Sequence, residues 1–479
     1  MEIDRFLSGV DIIETKGELP LEIYGISDNS REIGEGYCFV ALEGEIHDGH
    51  NFINEAVKNG ASLVVSEKEV NFKPNILVPD GRFALSILAS NFYGHPDENM
   101  KVIGITGTNG KTTTAFLLRG IYKNSLLCST IYYEFGNKKI NVPNTTANPI
   151  LLAKIMRDSS HMGVDTVIME VSSHSLAQHR VDGIRFNYAV FTNLTREHLE
   201  YHKDIFHYRE SKGRLFGLLK DGGYSIINQD DPNAPYFIER TNNHVITYGF
   251  NGGNIRGRII NSSLEGLKLL VKGMGRSIEI ETPLIGSHNG FNILAAVTLA
   301  IVDNISDDTI VDGIKNVKIV EGRMERIRQG QPFDIFIDYA HSPDSVAKAL
   351  SSVKEFVNGR IIVVFGAGGN RDIGKRELMG RAADELADRI IVTSDNPREE
   401  DALEIAKMVA SGIRSKKYDI IIDREKAIRE AISIVKPGDV IMILGKGHED
   451  YQIIGDRKIH FNDKEVVMKI LKELKYENK

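Results

Sequence analysis

Short apolar runs recur along the chain, and between them apolar residues fall at three- and four-residue spacing among polar ones. That is the pattern of strands covered on both faces alternating with amphipathic helices. Up to about His95 it predicts strands at Tyr37–Leu42, Ser62–Ser66 and Asn75–Val78, and helices at Asn51–Asn59 and Arg82–Asn91. The run Gly94–His95–Pro96–Asp97–Glu98–Asn99 then breaks both periods and marks a domain boundary. From Lys101 onward, strands are expected at Thr166–Val171, Tyr188–Asn193, Ser225–Asn228 and Val245–Tyr248 with helical segments between, which describes a largely parallel sheet. Asn254–Glu281 alternates apolar and polar residues around glycine turns, as an antiparallel excursion would, and His288–Val302 returns as a helix. Beyond Gly322–Arg323–Met324–Glu325–Arg326, strands at Ile335–Tyr339, Ile361–Phe365, Arg389–Thr393, Asp419–Ile422 and Val440–Leu444 alternate cleanly with helices. The pattern predicts an α/β protein of three domains: mixed α/β over residues 1–98, a central domain with a mostly parallel sheet over 99–328, and a Rossmann-like α/β domain over 329–479. Chemistry in such sheets sits outside the carboxyl ends of the strands.

Length and composition narrow the class. At 479 residues the chain exceeds what one hydrophobic core usually serves. Hydrophobic content of 42% and charged content of 26% fit a soluble globular protein. A net charge of −7 argues against a general nucleic-acid binder, although local basic clusters can still hold phosphates. Cys38 and Cys128 lie in or beside apolar runs and read as buried thiols in a reducing cytosol, with no disulfide framework and no metal-ligand spacing. Met1 to Lys16 mixes acidic and basic residues without an apolar core, so no signal peptide is expected, and no later segment approaches a membrane span.

The most specific chemical signal is the apolar strand that leads into Gly107–Thr108–Asn109–Gly110–Lys111–Thr112–Thr113. Glycines let backbone N–H groups turn onto phosphate oxygens, Lys111 supplies a point charge, and the Thr112 hydroxyl suits Mg²⁺. The following helix aims its positive end at the same anion. A P-loop has four residues between its outer glycines, whereas here Gly104 is one residue too far from Gly110 and Ile105 stands at the expected place. Thr166–Val171 carries Glu170 near its end, an acid that is costly to bury unpartnered and that makes a first Mg²⁺ candidate. A second strand end carries His198, which is read evenly as a metal ligand or a structural histidine. Lys212 lies at helical spacing within Tyr208–Phe216 and by spacing alone reads as a solvated surface lysine.

The Thr-Gly-Thr-Asn-Gly-Lys-Thr form resembles the ATP loop of the Mur ligase and folylpolyglutamate synthetase superfamily. Further ordered stretches resemble the Mur ligases, in the branch that adds the third residue of the peptidoglycan stem peptide. They are Asp28–Asn29–Ser30–Arg31, Phe39–Val40–Ala41–Leu42, Asp48–Gly49–His50, Asn144–Thr145–Thr146, Met169–Glu170–Val171–Ser172–Ser173–His174 and Gln178–His179–Arg180. Others follow at Gly322–Glu325, Asp338–Asp344, Gly368–Asp372, Asp395–Asn396–Pro397–Arg398 and Gly445–Gln452. The resemblance implies an ATP-dependent ligase that phosphorylates the D-glutamate γ-carboxylate of UDP-N-acetylmuramoyl-L-alanyl-D-glutamate and lets an amine attack the acyl phosphate. It implies that Lys111, Glu170, His198 and Lys212 are catalytic, that Thr112, Glu170, His198 and Lys212 hold Mg²⁺, and that Lys212 carries a CO₂-derived carbamate as N6-carboxylysine. Residues Gly107 to Thr113, Asn292, Arg323 and Asp338 would contact ATP. Ser27, Ser30, Thr145, Thr146, Ser172, Gln178 and Arg180 would hold the UDP substrate. Arg371, Asp395, Asn396, Pro397, Arg398, Gly445 and Glu449 would hold the amino acid. Retention of Arg398, whose planar fork can grip a second carboxylate, points to meso-diaminopimelate over L-lysine.

Three positions depart from the family pattern: Glu197 for the usual Asp before the metal histidine, Ala147 after Thr145–Thr146, and His288 for a phenylalanine near the adenine pocket. None removes a charged group from the implied reaction. The expected protein is a cytoplasmic monomer acting on ATP, the UDP-dipeptide and a diamino acid, with no nucleic acid and no membrane insertion. Rival readings are a folylpolyglutamate-synthetase-like ligase, which should lack the N-terminal module and the Asp-Asn-Pro-Arg stretch, and a non-catalytic paralogue that binds the nucleotide sugar.

Overall fold

A computed structural model describes residues 1–44, 47–414 and 417–476, and in it the chain forms three main sheets and a short hairpin. The first sheet runs Glu14–Lys16, Asn75–Leu77, Ala61–Ser66, Tyr37–Ala41, Gly25–Ser27 from edge to edge, parallel except at the Glu14–Lys16 edge. The second has eleven strands. Its parallel heart runs His244–Gly249, Leu219–Asn228, Phe186–Phe191, Lys101–Thr106, Thr166–Glu170, Ser125–Cys128. The Ile255–Ser263, Gly266–Gly273 and Arg276–Thr282 strands extend one side, antiparallel among themselves, as the alternation there requires.

The strand patterns follow from what covers them. In Lys101–Thr106, Ile103 and Ile105 pack with the helices Lys111–Ile121 and Ser287–Val302 on one face, while Val102 packs on the other with Val167, Met169 and Phe191. Both faces are buried, so the strands read as apolar runs and not as alternation. Cys38 and Cys128 are both free and buried, as the flanking apolar runs indicate. The short strands Gly25–Ser27, Tyr133–Phe135 and Lys138–Ile140 carry too few residues to show a period and are absent from the sequence reading.

The third sheet runs Glu325–Ile327, Asp334–Asp338, Val440–Leu444, Ile361–Phe365, Arg389–Val392, Tyr418–Ile420, with only the Glu325–Ile327 edge antiparallel. Its carboxyl ends release four loops side by side, beginning at Tyr339, Gly445, Gly366 and Thr393. A wholly buried ion pair fixes two of them: Arg424 reaches both carboxylate oxygens of Asp463 at 2.7 Å while donating to the Leu444 carbonyl at 3.0 Å and the Ser394 carbonyl at 3.5 Å. Among the described residues no helix is long and apolar enough to cross a membrane.

Removing one partner of a buried pair leaves an uncompensated charge in low dielectric. Asp463→Ala should therefore destabilise the third domain by about 3–5 kcal/mol, read as an earlier urea transition, whereas replacing exposed Glu465 should shift it little.

Candidate active site

Strand order explains why the phosphate loop faces an acid on one side and polar loop residues on the other. Lys101–Thr106 lies between Thr166–Glu170 and Phe186–Phe191, with Glu170 opposite Ile105 and Phe191 opposite Thr106. The loop then turns at Gly107, whose φ of +146° and 1.9 Å clearance from a would-be Cβ to Thr192 Oγ1 admit no side chain. Asn193 and Thr192 hold the far side of the turn, receiving Asn109 N–H on the Asn193 amide oxygen at 3.0 Å and donating to the Asn109 carbonyl.

Glu170 is fully buried, and three donors satisfy it. Thr130 N–H reaches Oε1 at 2.8 Å, and the Thr112 and Thr130 hydroxyls reach Oε2 at 3.0 and 3.1 Å. Thr112 in turn accepts from Arg323 at 3.1 Å, and the Thr130 hydroxyl meets that of Thr145 at 3.2 Å. Thr146 donates to the Glu170 carbonyl, Arg180 donates to the Thr146 carbonyl, and Gln178 accepts from Arg180. Ser172, the cap of the helix Ser173–Ala177, receives the Ser175 N–H. The residues expected to contact the UDP substrate thus form one chain of hydrogen bonds behind Glu170, apart from Ser27 and Ser30 in the first domain. There the Ser30 hydroxyl is committed to Glu55 at 2.6 Å and Ser27 receives the Asn29 N–H.

The reading of Lys212 as a surface residue is overturned. Its side chain is 1% exposed, donates to the Gly107 carbonyl at 2.8 Å and lies over the Tyr208 ring, because the helix Ile205–Gly217 packs its inner face on the loop. Burial, then the charge of Lys111, push the Lys212 ammonium well below its ordinary value against the pull of Glu197. Lys111 donates to the same Gly107 carbonyl at 2.9 Å and to the Thr108 carbonyl at 2.8 Å.

His198 lies past the strand end, in the loop after Phe191, with a φ of +56° at the start of the helix Leu199–His202. Its ring packs edge-on against His174. The neighbouring departure from the family pattern has a structural part that the sequence did not reveal: Glu197 Oε1 meets His341 Nε2 of the third domain at 3.0 Å. Burial opposes the Glu197 charge, but the His341 hydrogen bond and the charges of His198, His341 and Lys111 hold its carboxyl well below the usual carboxylate range. Asn109 also crosses between domains, to Asp344 at 3.0 Å, and Arg196 pairs with Asp372 at 3.6 Å.

A cavity of about 420 Å³ opens between the phosphate loop and the third domain. Asn109, Gly110, Thr112, Thr113, Asn292, Arg323 and Asp338 line it, whereas Gly107, Thr108 and Lys111 of the expected ATP contacts lie outside its lining. His288 lines it too, bonded to Ser352 at 3.0 Å, and burial lowers its imidazole to about 4, so a neutral ring stands at this departure from the family pattern. Asp338 accepts the Met324 and Ala340 N–H groups, and burial raises its carboxyl in spite of Arg323.

The loops of the third sheet assemble a second wall, outside the lining of that cavity. Arg398, at a φ of +52°, donates to the Gly369 carbonyl at 2.7 Å, and among the described residues it has no carboxylate partner. The acids that follow it in sequence are engaged elsewhere: Glu400 holds the buried Arg376 at 2.8 Å, Asp401 caps the helix Ala402–Ala410, and Glu399 receives Asn370. Burial and the nearby charge of Arg371, itself exposed, lower the Arg398 guanidinium, with Asp395 and Glu449 opposing. Glu449 receives Asn396 at 2.9 Å and the buried Lys446 at 3.1 Å, and Pro397 and Gly445 complete the wall, the latter packed on Asp395. Lys446 has no motif signal beyond its place before Gly447, and Thr130 has none at all. Lys375, lowered by burial, faces Glu197, Glu200 and Asp395 between the two walls.

Oxygen donors from a buried carboxylate and a threonine hydroxyl suit a hard cation such as Mg²⁺. Among the described residues no group of three His, Cys, Asp or Glu gathers here, so the site as built is short of anions.

Three sheets, a phosphate loop and a cleft closed by a third domain define a nucleotide-using α/β enzyme. Comparison with known proteins makes that specific. The chain matches the Mur ligase family, catalytic domain over residues 22–93, the Mur ligase middle domain over 105–300, and the Mur ligase, glutamate ligase domain over 322–447. It is 38% identical to the Clostridium acetobutylicum protein named UDP-N-acetylmuramoyl-L-alanyl-D-glutamate--2,6-diaminopimelate ligase 1, covering 99% of this chain and 100% of that one. It is 42% identical to the Aquifex aeolicus protein of the same name without the numeral, covering 94% of each. A solved structure titled as that ligase superposes with a TM-score of 0.72 at 30% identity over 99% of both chains. The chain belongs to the Mur ligase family.

The Glu197–His341 bond supplies a test of domain contact. Folding lowers the Glu197 carboxyl below its ordinary 4.5, so its contribution is fully present above that value and is lost as pH falls through the folded value. Glu197→Gln should cost about 1–3 kcal/mol at neutral pH. Denaturant curves of the variant and the wild type should converge in acid; an undiminished gap there would refute the ionic origin.

Proposed function

We propose that this chain is an ATP-dependent amide ligase that joins meso-2,6-diaminopimelate to the D-glutamate γ-carboxylate of UDP-N-acetylmuramoyl-L-alanyl-D-glutamate in peptidoglycan synthesis. The observation that carries the choice of amino acid is Arg398, a half-buried guanidinium with no carboxylate partner among the described residues, two residues from the amide that holds Glu449. A second carboxylate distinguishes diaminopimelate from lysine, and an unpaired arginine both attracts that carboxylate and repels a lysine ammonium. The N-terminal module, matched over residues 22–93, favours a nucleotide-sugar substrate over a folate.

The reaction asks little covalent help from the protein. Two anions must be brought together, so alignment and charge neutralisation dominate. Lys111 and the amides of Gly110 to Thr113 would cradle the ATP phosphates in the turn that Gly107 to Asn109 shape, with Asn292, Arg323 and Asp338 along the nucleotide. Thr145, Thr146, Ser172, Gln178 and Arg180 would hold the muramoyl peptide, with Ser27 and Ser30 toward its uridine end. Arg371, Asp395 to Arg398, Gly445 and Glu449 would hold the diamino acid. Mg²⁺, when bound by Thr112, Glu170, His198 and the Lys212 carbamate, neutralises the facing phosphate and carboxylate charges. A buried lysine shifted toward its neutral form is the nucleophile that CO₂ requires, and the carbamate would turn a surplus cation into an oxygen ligand. The γ-carboxylate attacks the terminal phosphorus of ATP, ADP leaves, and the amine then displaces phosphate from the acyl carbon.

The test is phosphate release from ATP by the purified chain, which should require the UDP-dipeptide and proceed with diaminopimelate; equal use of lysine would refute the assignment of the amino acid. Lys212→Ala should lose ligation and regain part of it with added short carboxylates, while intact mass of the wild type should show the added CO₂. Arg398→Ala should weaken diaminopimelate use by ~10²-fold, as expected for loss of a charge-assisted bidentate contact, seen in kcat/KM for that substrate with ATP parameters unchanged.

A further inference from the structure

Two helices lead from the phosphate loop to the far end of the nucleotide cavity. On Ser287–Val302, Asn292 sits against the loop, where a Cβ on Gly110 would fall 2.2 Å from its Oδ1, and His288 lies one turn earlier on the same face. On Pro343–Lys354, Asp344 receives Asn109 of the loop at 3.0 Å, Lys348 follows one turn on, and Ser352 a turn beyond that. The helices meet again through the 3.0 Å bond between Ser352 Oγ and His288 Nδ1. A nucleotide whose phosphates sit on the loop amides therefore extends its base toward this end.

The hydrogen bonds at that junction fix the tautomer of the ring. The Ser352 hydroxyl has one hydrogen, which it donates to the Lys348 carbonyl at 2.6 Å. Its oxygen then accepts from the imidazole, so Nδ1 carries the proton and Nε2 keeps a lone pair. A Cβ on Gly286 would fall 2.7 Å from Cε1 and 2.8 Å from Nδ1, which sets that edge of the ring against the chain. His288 is half-buried and lines the cavity, and its Nε2 is neither sealed nor bonded among the described residues. Neighbouring amides in the lining are already engaged, Asn228 by the Thr192 carbonyl and the Asp230 N–H, and Asn289 by the Ile285 carbonyl and Asn292.

We propose that His288 is a specificity-determining residue whose Nε2 accepts a hydrogen bond from the 6-amino group of the purine and so selects adenine over guanine. This rests on the ATP-using ligase reading above. Guanine and hypoxanthine carry an oxygen at that position, which sets acceptor against acceptor. The bond to Ser352 denies the ring the other tautomer, the one that would turn the clash into a bond. Selection therefore comes from repulsion of the wrong base as well as attraction of the right one.

Calorimetric binding of nucleotides to the full chain with Mg²⁺, in the absence of the UDP-dipeptide, separates this role from a structural one. The probes are ATP, purine riboside triphosphate with hydrogen at the 6-position, and inosine triphosphate with oxygen there. Wild type should bind ATP ~5-fold more tightly than purine riboside triphosphate, and inosine triphosphate more weakly still. His288→Phe keeps a ring that the family pattern accepts but offers no acceptor. It should bind ATP and purine riboside triphosphate within about twofold of each other and recover inosine triphosphate. His288→Gln, whose amide can present either oxygen or N–H near the place of Nε2, should restore the preference for ATP over purine riboside triphosphate while tolerating inosine triphosphate. An undiminished preference for ATP in the phenylalanine variant would overturn the proposal, as would a wild type that does not distinguish the three. Failure of the ligase reading shows separately, as wild type that selects ATP yet forms no tripeptide.

Discussion

Two lysine side chains converge on one oxygen, the carbonyl of Gly107, at 2.8 and 2.9 Å. A wall from which water is excluded cannot cheaply hold both as cations. Much of the surrounding architecture answers that constraint. Lys212 is driven toward neutrality, and the Glu197 carboxyl is held ionised nearby. Binding a polyphosphate would meet that electrostatic demand, as would the carbamate proposed above, so the site favours charge that the chain itself lacks.

The second organising feature is the contact between the central and third domains. Asn109 to Asp344 and Glu197 to His341 join them around the nucleotide cavity, and Arg323, just before the edge strand Glu325–Ile327 of the third sheet, reaches Thr112. None lies within a sheet, and each involves a residue within a few positions of the proposed chemistry. Closure is thereby tied to the groups that must meet during turnover. One methylene distinguishes Glu197 from the aspartate usual in the family, and the longer side chain is the one that reaches across to His341 here.

The sheets were legible because parallel strands buried on both faces leave apolar runs that turns and helices interrupt. The phosphate loop was legible because its glycines and Lys-Thr pair have a shape with few other uses. Lys212 was not: a helix of mixed polarity does not announce which lysine faces inward, and only the family resemblance pointed to it. Thr130 and the Glu197–His341 bond were invisible for a related reason, since they depend on where distant loops come to rest. His198 was set too near the strand end because the segment after Phe191 leaves the sheet through a left-handed turn that no period encodes.

The loops around Arg398 are anchored at their bases by Arg424 and Asp463, on a sheet that shares no strand with the phosphate loop. On the proposed reading, the half of the molecule that would supply driving force and the half that would choose the amine are therefore separable inheritances. A lineage could revise the Asp395–Arg398 loop, and with it the amino acid accepted, while leaving the ATP-using machinery untouched.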